Sequence, residues 1–316
     1  MVQAPEGNIA VGDAAVFSPL EESLGHLVRR TQQLQTFHWS ATLDSGLTGA
    51  QYAVLTVVAA YPNARRTELE GLSALDRSTS AEVISRLQGN SWIERERASH
   101  DGRRSHLTLT PPARAALPAI TAQVQRVQDL VTSALTQAET EELVELLATV
   151  AYADAPDLRA LEPTDPRASV LGFATTPTHL LRRAEQRHQR LWSTLVGGQT
   201  TPTQYAVLCA IAYEALDQKT VSALASLDTS TGADVISRLR RQSLLTVTPD
   251  ARDRRRNLVR LVPETFDLVA DLTRRAEAVH HELSAPLPAA ETARLKHLLR
   301  TISFPEEISH TGSRPE

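Results

Sequence analysis

A ten-residue stretch occurs twice in this sequence, as STSAEVISRL at 78–87 and as STGADVISRL at 230–239. The similarity continues beyond this stretch, since HLVRRTQQLQTFHW at 26–39 matches HLLRRAEQRHQRLW at 179–192. A repeat of this length indicates two copies of one domain, because the units of a solenoid are much shorter. The duplication therefore limits the possible folds more than any other feature of the sequence.

The repeat sets the predicted domain boundaries. We predict one copy at 18–152 and a second copy at 171–304, in agreement with the two domains that are typical of a chain of 316 residues. Prolines and scattered acidic residues occupy the segment between the copies. This composition predicts a surface linker without regular structure at 153–170.

Each copy is predicted to be mostly helical. In the first copy, a helix at about 20–43 is expected to bury an apolar side that includes Leu34 and Phe37. A second helix is expected to follow Thr48, which would cap it, and to end before Pro62. A short third helix is expected just before the repeated stretch.

The repeated stretch itself is predicted to begin a helix. Thr79 and Glu82 have the spacing of a capping box, and Thr231 with Asp234 offers a weaker version. In such a helix Ser80 would lie outward or at the edge, in front of an apolar inward stripe.

A two-stranded hairpin is predicted after this helix. The segments WIERER at 92–97 and SHLTLT at 105–110 alternate apolar and polar residues, and Asp101-Gly102 between them is a strong turn signal. Pro111 then opens a long helix. This order of helix, turn, helix and arginine-tipped hairpin is typical of proteins that insert a helix into the major groove of DNA and a wing into the minor groove.

Positive charge is concentrated on this helix and hairpin, although the formal net charge of the chain is −4. A single run of arginines is usually a solvated surface, but the same placement in both copies favours a nucleic-acid-binding face. The predicted DNA-contacting residues are Arg77, Ser78, Thr79, Ser80, Arg86, Arg103 and Arg104 in the first copy, and Thr229, Ser230, Thr231, Arg238, Arg254, Arg255 and Arg256 in the second.

An ordered set of motifs runs through nearly all of both copies. It comprises Leu47, Thr48, Gln51, Tyr52, Leu55, the block 72–87 and the wing residues Asp101 and Arg103, with counterparts at 203–205, 224–239, Asp253 and Arg255. This set resembles the MarR family of winged helix-turn-helix transcriptional regulators. The resemblance implies a mostly α fold with small β wings, and a homodimer whose first and last helices interlock.

In this chain the second copy would take the place of the partner subunit. We therefore expect two winged helix-turn-helix domains joined as a pseudo-two-fold single-chain dimer. Such a protein would be monomeric in solution and would bind an imperfect palindrome in double-stranded DNA, because its two reading helices differ in sequence.

The first helix of each copy carries cations in an otherwise apolar pairing surface. The pattern G-H-L-x-R-R-x-Q-Q at 25–33 resembles the MarR subgroup that responds to aromatic carboxylic acids, which implies a small anionic effector gripped by arginine. The implied effector-binding residues are His26, Arg29, Trp39, His179, Arg182, His188 and Trp192.

Two features of these helices limit the effector hypothesis. The second copy departs from the pattern with Thr178 for the glycine and Glu185 for the first glutamine, so the two sites need not be equivalent. Salt bridges or a solvated surface are the alternative for the cations, and a core position is the alternative for the tryptophans.

Other classes of function find little support in the sequence. The start of the chain lacks the pattern of a signal peptide, and no apolar stretch has the roughly 20 residues that span a bilayer. Cys209 is the single cysteine, and no catalytic motif occurs. We expect a cytoplasmic protein that is not an enzyme and needs no metal or cofactor. A winged-helix module that binds another protein instead of DNA stays the alternative.

Overall fold

The computed structural model of the chain describes residues 20–62, 64–97, 105–165, 176–251, 253 and 256–304. Over these ranges the fold is mostly helical, with short antiparallel strands. The helices are α1 (Leu24–Thr42), α2 (Gly49–Ala60), α3 (Arg66–Leu72), α4 (Arg77–Gly89), α5 (Pro111–Val131), α6 (Gln137–Ala151), α7 (Pro156–Arg159), α8 (Pro177–Leu195), α9 (Pro202–Ala210), α10 (Gln218–Leu224), α11 (Thr229–Arg241), α12 (Phe266–Ser284) and α13 (Ala289–Ser303). The strands are β1 (Ile93–Arg97), β2 (Ser105–Leu109), β3 (Leu216–Asp217), β4 (Leu245–Pro249) and β5 (Asn257–Leu261), and short 3₁₀ helices lie at Leu20–Glu22 and Pro263–Thr265.

The described residues form two compact units. The larger unit contains residues 24–190 and 282–304, and the smaller unit contains residues 20–23 and 191–281. These units group residues that contact one another in the folded chain. The predicted domain boundaries follow the sequence repeat instead, and they stay a prediction.

In the larger unit, α2, α3 and α4 precede a two-stranded hairpin. β1 and β2 pair antiparallel, from Ile93 opposite Leu109 to Arg97 opposite Ser105, and both α4 and β2 pack on α2. α1 packs against α5 and α13, and α13 packs against α6. The last helix of the second repeat, α13, therefore packs against both the first and the last helix of the first repeat.

Local sequence signals explain where these helices start and stop. Thr48 caps α2 through a capping box with Gln51, and α2 ends at Ala60, two residues before Pro62. Thr110 caps α5 by accepting a hydrogen bond from the backbone N–H of Ala113. The predictions for Thr48, for the hairpin and for a long helix opened by Pro111 are thus confirmed.

The smaller unit contains a three-stranded sheet in the order β3-β5-β4. Both pairings are antiparallel, with Leu245 opposite Leu261 and Leu216 opposite Val259. Trp192, Val259 and the inward side of α11 lie in the core of this unit.

The two repeats share their internal hydrogen bonds. The indole Nε1 of a tryptophan donates to a loop carbonyl, and a tyrosine hydroxyl bonds a threonine hydroxyl, in both copies. These bonds are Trp39 Nε1 to Leu47 O and Trp192 Nε1 to Thr200 O, each 2.6 Å, and Tyr52 to Thr121 at 3.1 Å and Tyr205 to Thr273 at 3.2 Å. The duplicated sequence therefore folds with duplicated local geometry.

Three expectations need correction. Phe37 is 66% exposed, because the buried side of α1 runs through Leu27, Thr31 and Gln35 instead. The predicted linker contains the short helix α7, which packs on α3. The capping boxes predicted inside the repeated stretch are wrong, since the N-cap residues are Asp76 for α4 and Asp228 for α11. Aspartate caps a helix at least as well as threonine, and it comes earlier in the chain.

Candidate nucleic-acid interface and effector cavity

The exposed start of α4 is organised around Asp76. Its carboxylate accepts hydrogen bonds from the backbone N–H groups of Ser78 and Thr79, both at 2.9 Å. The two hydroxyls also donate to it, Ser78 Oγ at 2.6 Å and Thr79 Oγ1 at 2.7 Å. These bonds hold the pKa of Asp76 well below its usual range. Because the hydroxyl protons are committed to Asp76, the serine and threonine oxygens face solvent as hydrogen-bond acceptors.

The start of α11 repeats this arrangement. Asp228 accepts from the backbone N–H of Thr231 at 2.9 Å and from its hydroxyl at 2.6 Å, which lowers the pKa of Asp228. Thr229, Ser230 and Thr231 are all exposed. Both helices therefore present short polar side chains that could meet base edges in a groove.

Ser80 departs from its predicted position. It is fully buried in α4, so the expectation that it lies outward is wrong, and it is not available to DNA. Its counterpart Gly232 is buried as well, and a Cβ there would lie 2.0 Å from Oγ of Ser222. The fourth residue of each helix is thus buried, and at Gly232 its neighbour is Ser222 of the preceding helix, α10.

The predicted arginines fall into three groups. Arg77 and Arg238 are exposed on α4 and α11. Arg86 pairs with Glu82 on α4, and Arg256 pairs with Asp217 at 2.6 Å. Exposed pairs of this kind are worth little in water, so these guanidinium groups can exchange a carboxylate for a phosphate. The predicted wing residues Arg103, Arg104, Arg254 and Arg255 lie outside the described residues.

A cavity lies within the larger unit, where the start of α8 meets the first repeat. The cavity is narrow: the centre of a water molecule can move within about 30 Å³ of it, and its empty space reaches about 360 Å³ only when the opening to solvent is included. The lining residues come from α1, α2, α5 and α8, and they are Gln35, Trp39, Gly49, Tyr52, Ala53, Thr56, Val124, Thr176, Thr178, His179 and Arg182. Trp39 is buried and its indole N–H is bonded to Leu47 O, so it can offer the cavity apolar contact but no hydrogen bond.

Arg182 supplies the positive charge of this cavity. Its Nη2 donates to Nδ1 of His179 at 3.1 Å, so the imidazole acts as an acceptor and is neutral there. The Nη1 atom is buried and has no hydrogen-bond partner among the described residues. Burial and the neighbouring Arg183 lower the pKa of Arg182 to about 10, and burial also holds the pKa of His179 well below its usual value.

A second buried cluster in the larger unit is centred on Arg29. Arg29 Nη2 donates to His26 Nδ1 at 2.9 Å, in the same arrangement as the pair on α8. Burial lowers the pKa of His26 to about 3, and the positive charges of Arg29 and Arg30 contribute to this shift. His188 of α8 lies against Gly25 of α1 beside this cluster, and its Nδ1 atom is 3.5 Å from Oε2 of Glu185 on the same helix.

The structure thus assembles the predicted effector residues only in part. Trp39, His179 and Arg182 share the cavity, whereas His26, Arg29 and His188 form the second cluster. Trp192 lies in the core of the smaller unit.

Gln128 was missed by the sequence analysis. Its side-chain amide makes two hydrogen bonds to Thr178. Nε2 donates to Oγ1 at 2.5 Å, and Oε1 accepts from the backbone N–H at 3.0 Å. Nothing in the local sequence around Gln128 marks this contact.

Two other kinds of site were sought within the described parts of the chain. There, no group of three or more His, Cys, Asp or Glu side chains is arranged to hold a metal ion. No described helix combines the length and apolar character of a membrane span.

Comparison with known proteins gives consistent matches to transcriptional regulators. Residues 47–105 match the model of the MarR family. The transcriptional repressor NicR of Pseudomonas putida is 28% identical over 131 residues, which is 41% of this chain and 83% of that protein.

Solved structures of bacterial regulators are similar to this chain as well. PcaV of Streptomyces coelicolor, crystallised with its natural ligand, is 42% identical, and the match covers 42% of this chain and 96% of PcaV with a TM-score of 0.41. BpsR of Bordetella bronchiseptica, whose DNA binding is regulated by 6-hydroxynicotinic acid, is 34% identical over 42% of this chain and 97% of BpsR, with a TM-score of 0.41. Each match spans about the length of one repeat.

Proposed function

Because this chain belongs to the MarR family of transcriptional regulators, we propose that it is a sequence-specific DNA-binding repressor whose two repeats act as one pseudo-dimer. The observation that carries this proposal is the pair of aspartate-capped helices, α4 and α11, with exposed hydroxyl side chains and arginines at matching positions. A homodimer presents two identical reading helices, and this chain would present both from one polypeptide. It would act in the cytoplasm, where the DNA is.

The two reading helices are similar but not identical. Ser78 and Thr79 match Ser230 and Thr231, whereas Arg77 is replaced by Thr229 in the second copy. Residues near the start of such a helix meet bases and phosphates. The proposed operator is therefore an imperfect palindrome, with half-sites that agree at the base pairs read by the shared residues and differ at their flanks.

We further propose that a small aromatic carboxylate releases the repressor from DNA. The cavity beside Arg182 combines a buried guanidinium nitrogen with the apolar ring of Trp39. Gln35 adds a buried amide oxygen, Oε1, that has no hydrogen-bond partner among the described residues. A ring that carries both a carboxylate and a hydroxyl group would match these three features. 6-Hydroxynicotinic acid, the effector of BpsR, has this chemistry.

The position of the cavity suggests how binding could be coupled to DNA release. Its walls include α2, on which α4 packs, and α8, which begins the second repeat. An effector that binds one arrangement of these helices more tightly than another shifts the population toward it. Repression is relieved if the favoured arrangement no longer fits the operator spacing.

Selection of binding sites from random double-stranded DNA tests the DNA-binding proposal. The purified chain should enrich a sequence with two related half-sites, and a gel shift with the selected DNA should be reversed by 6-hydroxynicotinate or 4-hydroxybenzoate. Benzamide, which lacks the carboxylate, is the matched control and should have no effect. Failure to enrich any sequence would favour the protein-interaction alternative, and enrichment without any response to the acids would refute only the effector proposal.

A further inference from the structure

Two residues that occupy the same position in the two repeats are bonded to each other. α6 of the first repeat and α13 of the second are both 15 residues long and align with each other, so that Glu142 corresponds to Arg294. In the folded chain Nε of Arg294 donates to Oε2 of Glu142 at 2.9 Å. A contact between equivalent positions marks an axis of two-fold exchange, because exchanging the two repeats maps this contact onto itself.

Other contacts in the larger unit form pairs that are related by the same exchange. Nε of Arg30 donates to the carbonyl of Ser303 at the end of α13, at 3.2 Å. Nε of Arg183 donates to the carbonyl of Ala151 at the end of α6, at 3.1 Å. The two arginines are equivalent positions of the repeats, and so are the two acceptors. The local two-fold relation between α6 and α13 therefore does not depend on the Glu142–Arg294 contact alone.

The charges at this axis depend on which repeats are paired. As observed, Arg294 faces two carboxylates, since its guanidinium also lies 3.4 Å from Oε1 of Glu139. If two first repeats paired in the same way, Glu139 and Glu142 of both would bring four carboxylates together, and these would repel one another. If two second repeats paired, each Arg294 would instead face Glu291 of the other copy, the counterpart of Glu139.

We propose that Glu142 and Arg294 select the partner of the first repeat, so that it pairs with the second repeat of the chain and not with the first repeat of another molecule. Such mispairing is a risk during synthesis at roughly 5–20 residues per second, because the first repeat is complete while the second is still being made. The repulsion opposes self-pairing of the repeat that is made first. This inference rests on the packing of α6 against α13, and it does not depend on DNA or effector binding.

Charge reversals recreate the alternative pairings inside the full-length chain. Arg294→Glu gives the axis the four carboxylates that two first repeats would bring. Glu142→Arg gives it the charges of two second repeats. The double variant exchanges the two charges and restores one opposite pair. Urea unfolding of each variant measures the ratio of folded to unfolded chain, at low salt and again in about 1 M NaCl, where the Debye length is only about 3 Å.

The largest loss is expected for Arg294→Glu. At low salt it should lower the ratio of folded to unfolded chain roughly fivefold, because two ion pairs are lost and like charges take their place. Glu142→Arg alone should cost less, since each arginine then still faces a glutamate across the axis. The double variant should return to within about twofold of the unaltered chain. High salt should remove most of the loss, because the side chains of this axis are partly exposed.

Arg66→Glu is the matched control. Arg66 forms an ion pair with Glu70 at 2.8 Å, the same N–O distance as the shorter contact between Arg294 and Glu142, but within α3 and not between equivalent positions. Glu142→Arg should therefore leave any loss caused by Arg66→Glu unchanged.

Three results would overturn the inference. Glu142→Arg could fail to restore the Arg294→Glu variant, it could cost as much as Arg294→Glu by itself, or the loss could be equally large in high salt. If Arg294→Glu does not fold at all, a folded double variant supports the inference and an unfolded one overturns it. Each result is obtained without operator or effector, so failure of this inference and failure of the proposed repressor function are distinguishable.

Discussion

Replacing Gly25 by threonine should destabilise the larger unit, because His188 leaves no room for a side chain. A Cβ at Gly25 would lie 2.4 Å from Nε2, 2.7 Å from Cδ2 and 2.9 Å from Cε1 of this buried imidazole. In the alignment of the two repeats, Gly25 corresponds to Thr178 and His188 corresponds to Gln35. Thr178 and Gln35 line one cavity together. A glycine is therefore combined with a histidine at one site, and a threonine is combined with a glutamine at the other.

The size of the effect follows from this crowding. Non-bonded carbon atoms prefer a separation of roughly 3.5–4 Å, so the ring would have to retreat by about 1 Å from its packed position. Overpacking of this kind costs about 1–3 kcal/mol. The higher helix propensity of threonine returns only a few tenths of a kcal/mol. A net loss of about 2 kcal/mol corresponds to a roughly 30-fold smaller ratio of folded to unfolded protein.

Urea unfolding followed by circular dichroism measures this loss. Gly25→Thr should lower the free energy of unfolding, and Gly49→Ala is the control, because a Cβ there comes no closer than 4.0 Å to Trp39. In the double variant Gly25→Thr with His188→Gln, which recreates the threonine–glutamine combination, we expect recovery of about 1 kcal/mol or more relative to additivity. Strict additivity of the two substitutions, or an unchanged stability of Gly25→Thr, would show that the contact with His188 is not limiting.

Three further predictions concern protonation, DNA and assembly. Burial lowers the pKa of His26 to about 3, so this imidazole is neutral in the folded chain and takes up a proton below pH 6.5 only when the chain unfolds. The free energy of unfolding should therefore fall by about 2 kcal/mol between pH 7 and pH 5. Urea unfolding of His26→Gln at both pH values should show a smaller fall than the unaltered chain, and an equal fall would contradict the assignment. Arg238→Ala should weaken operator binding and reduce the slope of log K against log salt by about one unit in filter binding, as expected for one lost phosphate contact, whereas an unchanged slope would remove Arg238 from the interface. In sedimentation velocity the free chain should be a monomer at micromolar concentration, because α1, α6 and α13 already pack together within one polypeptide, and a stable dimer would contradict this expectation.

The parts of the fold that depend on local signals could be predicted from the sequence. The cap at Thr48, the hairpin and the helix after Pro111 follow from neighbouring residues, and the structure has all three. The start of α4 was predicted too late, because Asp76 and Thr79 are both capable of capping and only the folded backbone selects between them. Ser80 could not be assigned to the interior by residue type, since its orientation depends on how α4 packs on neighbouring helices.

The candidate site could be predicted only within each helix. The pairing of His179 with Arg182 is a contact between residues one helical turn apart, so the sequence was sufficient to group them. The clamp of Gln128 on Thr178 joins residues far apart in the chain. The close approach of His188 to Gly25 likewise depends on two helices from different repeats. No periodicity reports such a contact.

Fusion of the two repeats changes what a single substitution can do. In a homodimer every residue occurs twice, so a substitution beside one of the two arginines is repeated beside the other. In one chain the two positions vary independently, and Glu185 and Gln32 differ accordingly. Both arginines are nevertheless retained, although burial disfavours the charge of each and lowers its pKa. At Arg29 the negative charge of Glu185 opposes the effect of burial on the pKa, whereas no described residue that lines the cavity of Arg182 carries a carboxylate. A bound effector anion would offset the burial of Arg182. Only a stabilisation that comes and goes with the ligand can couple effector binding to the affinity for DNA.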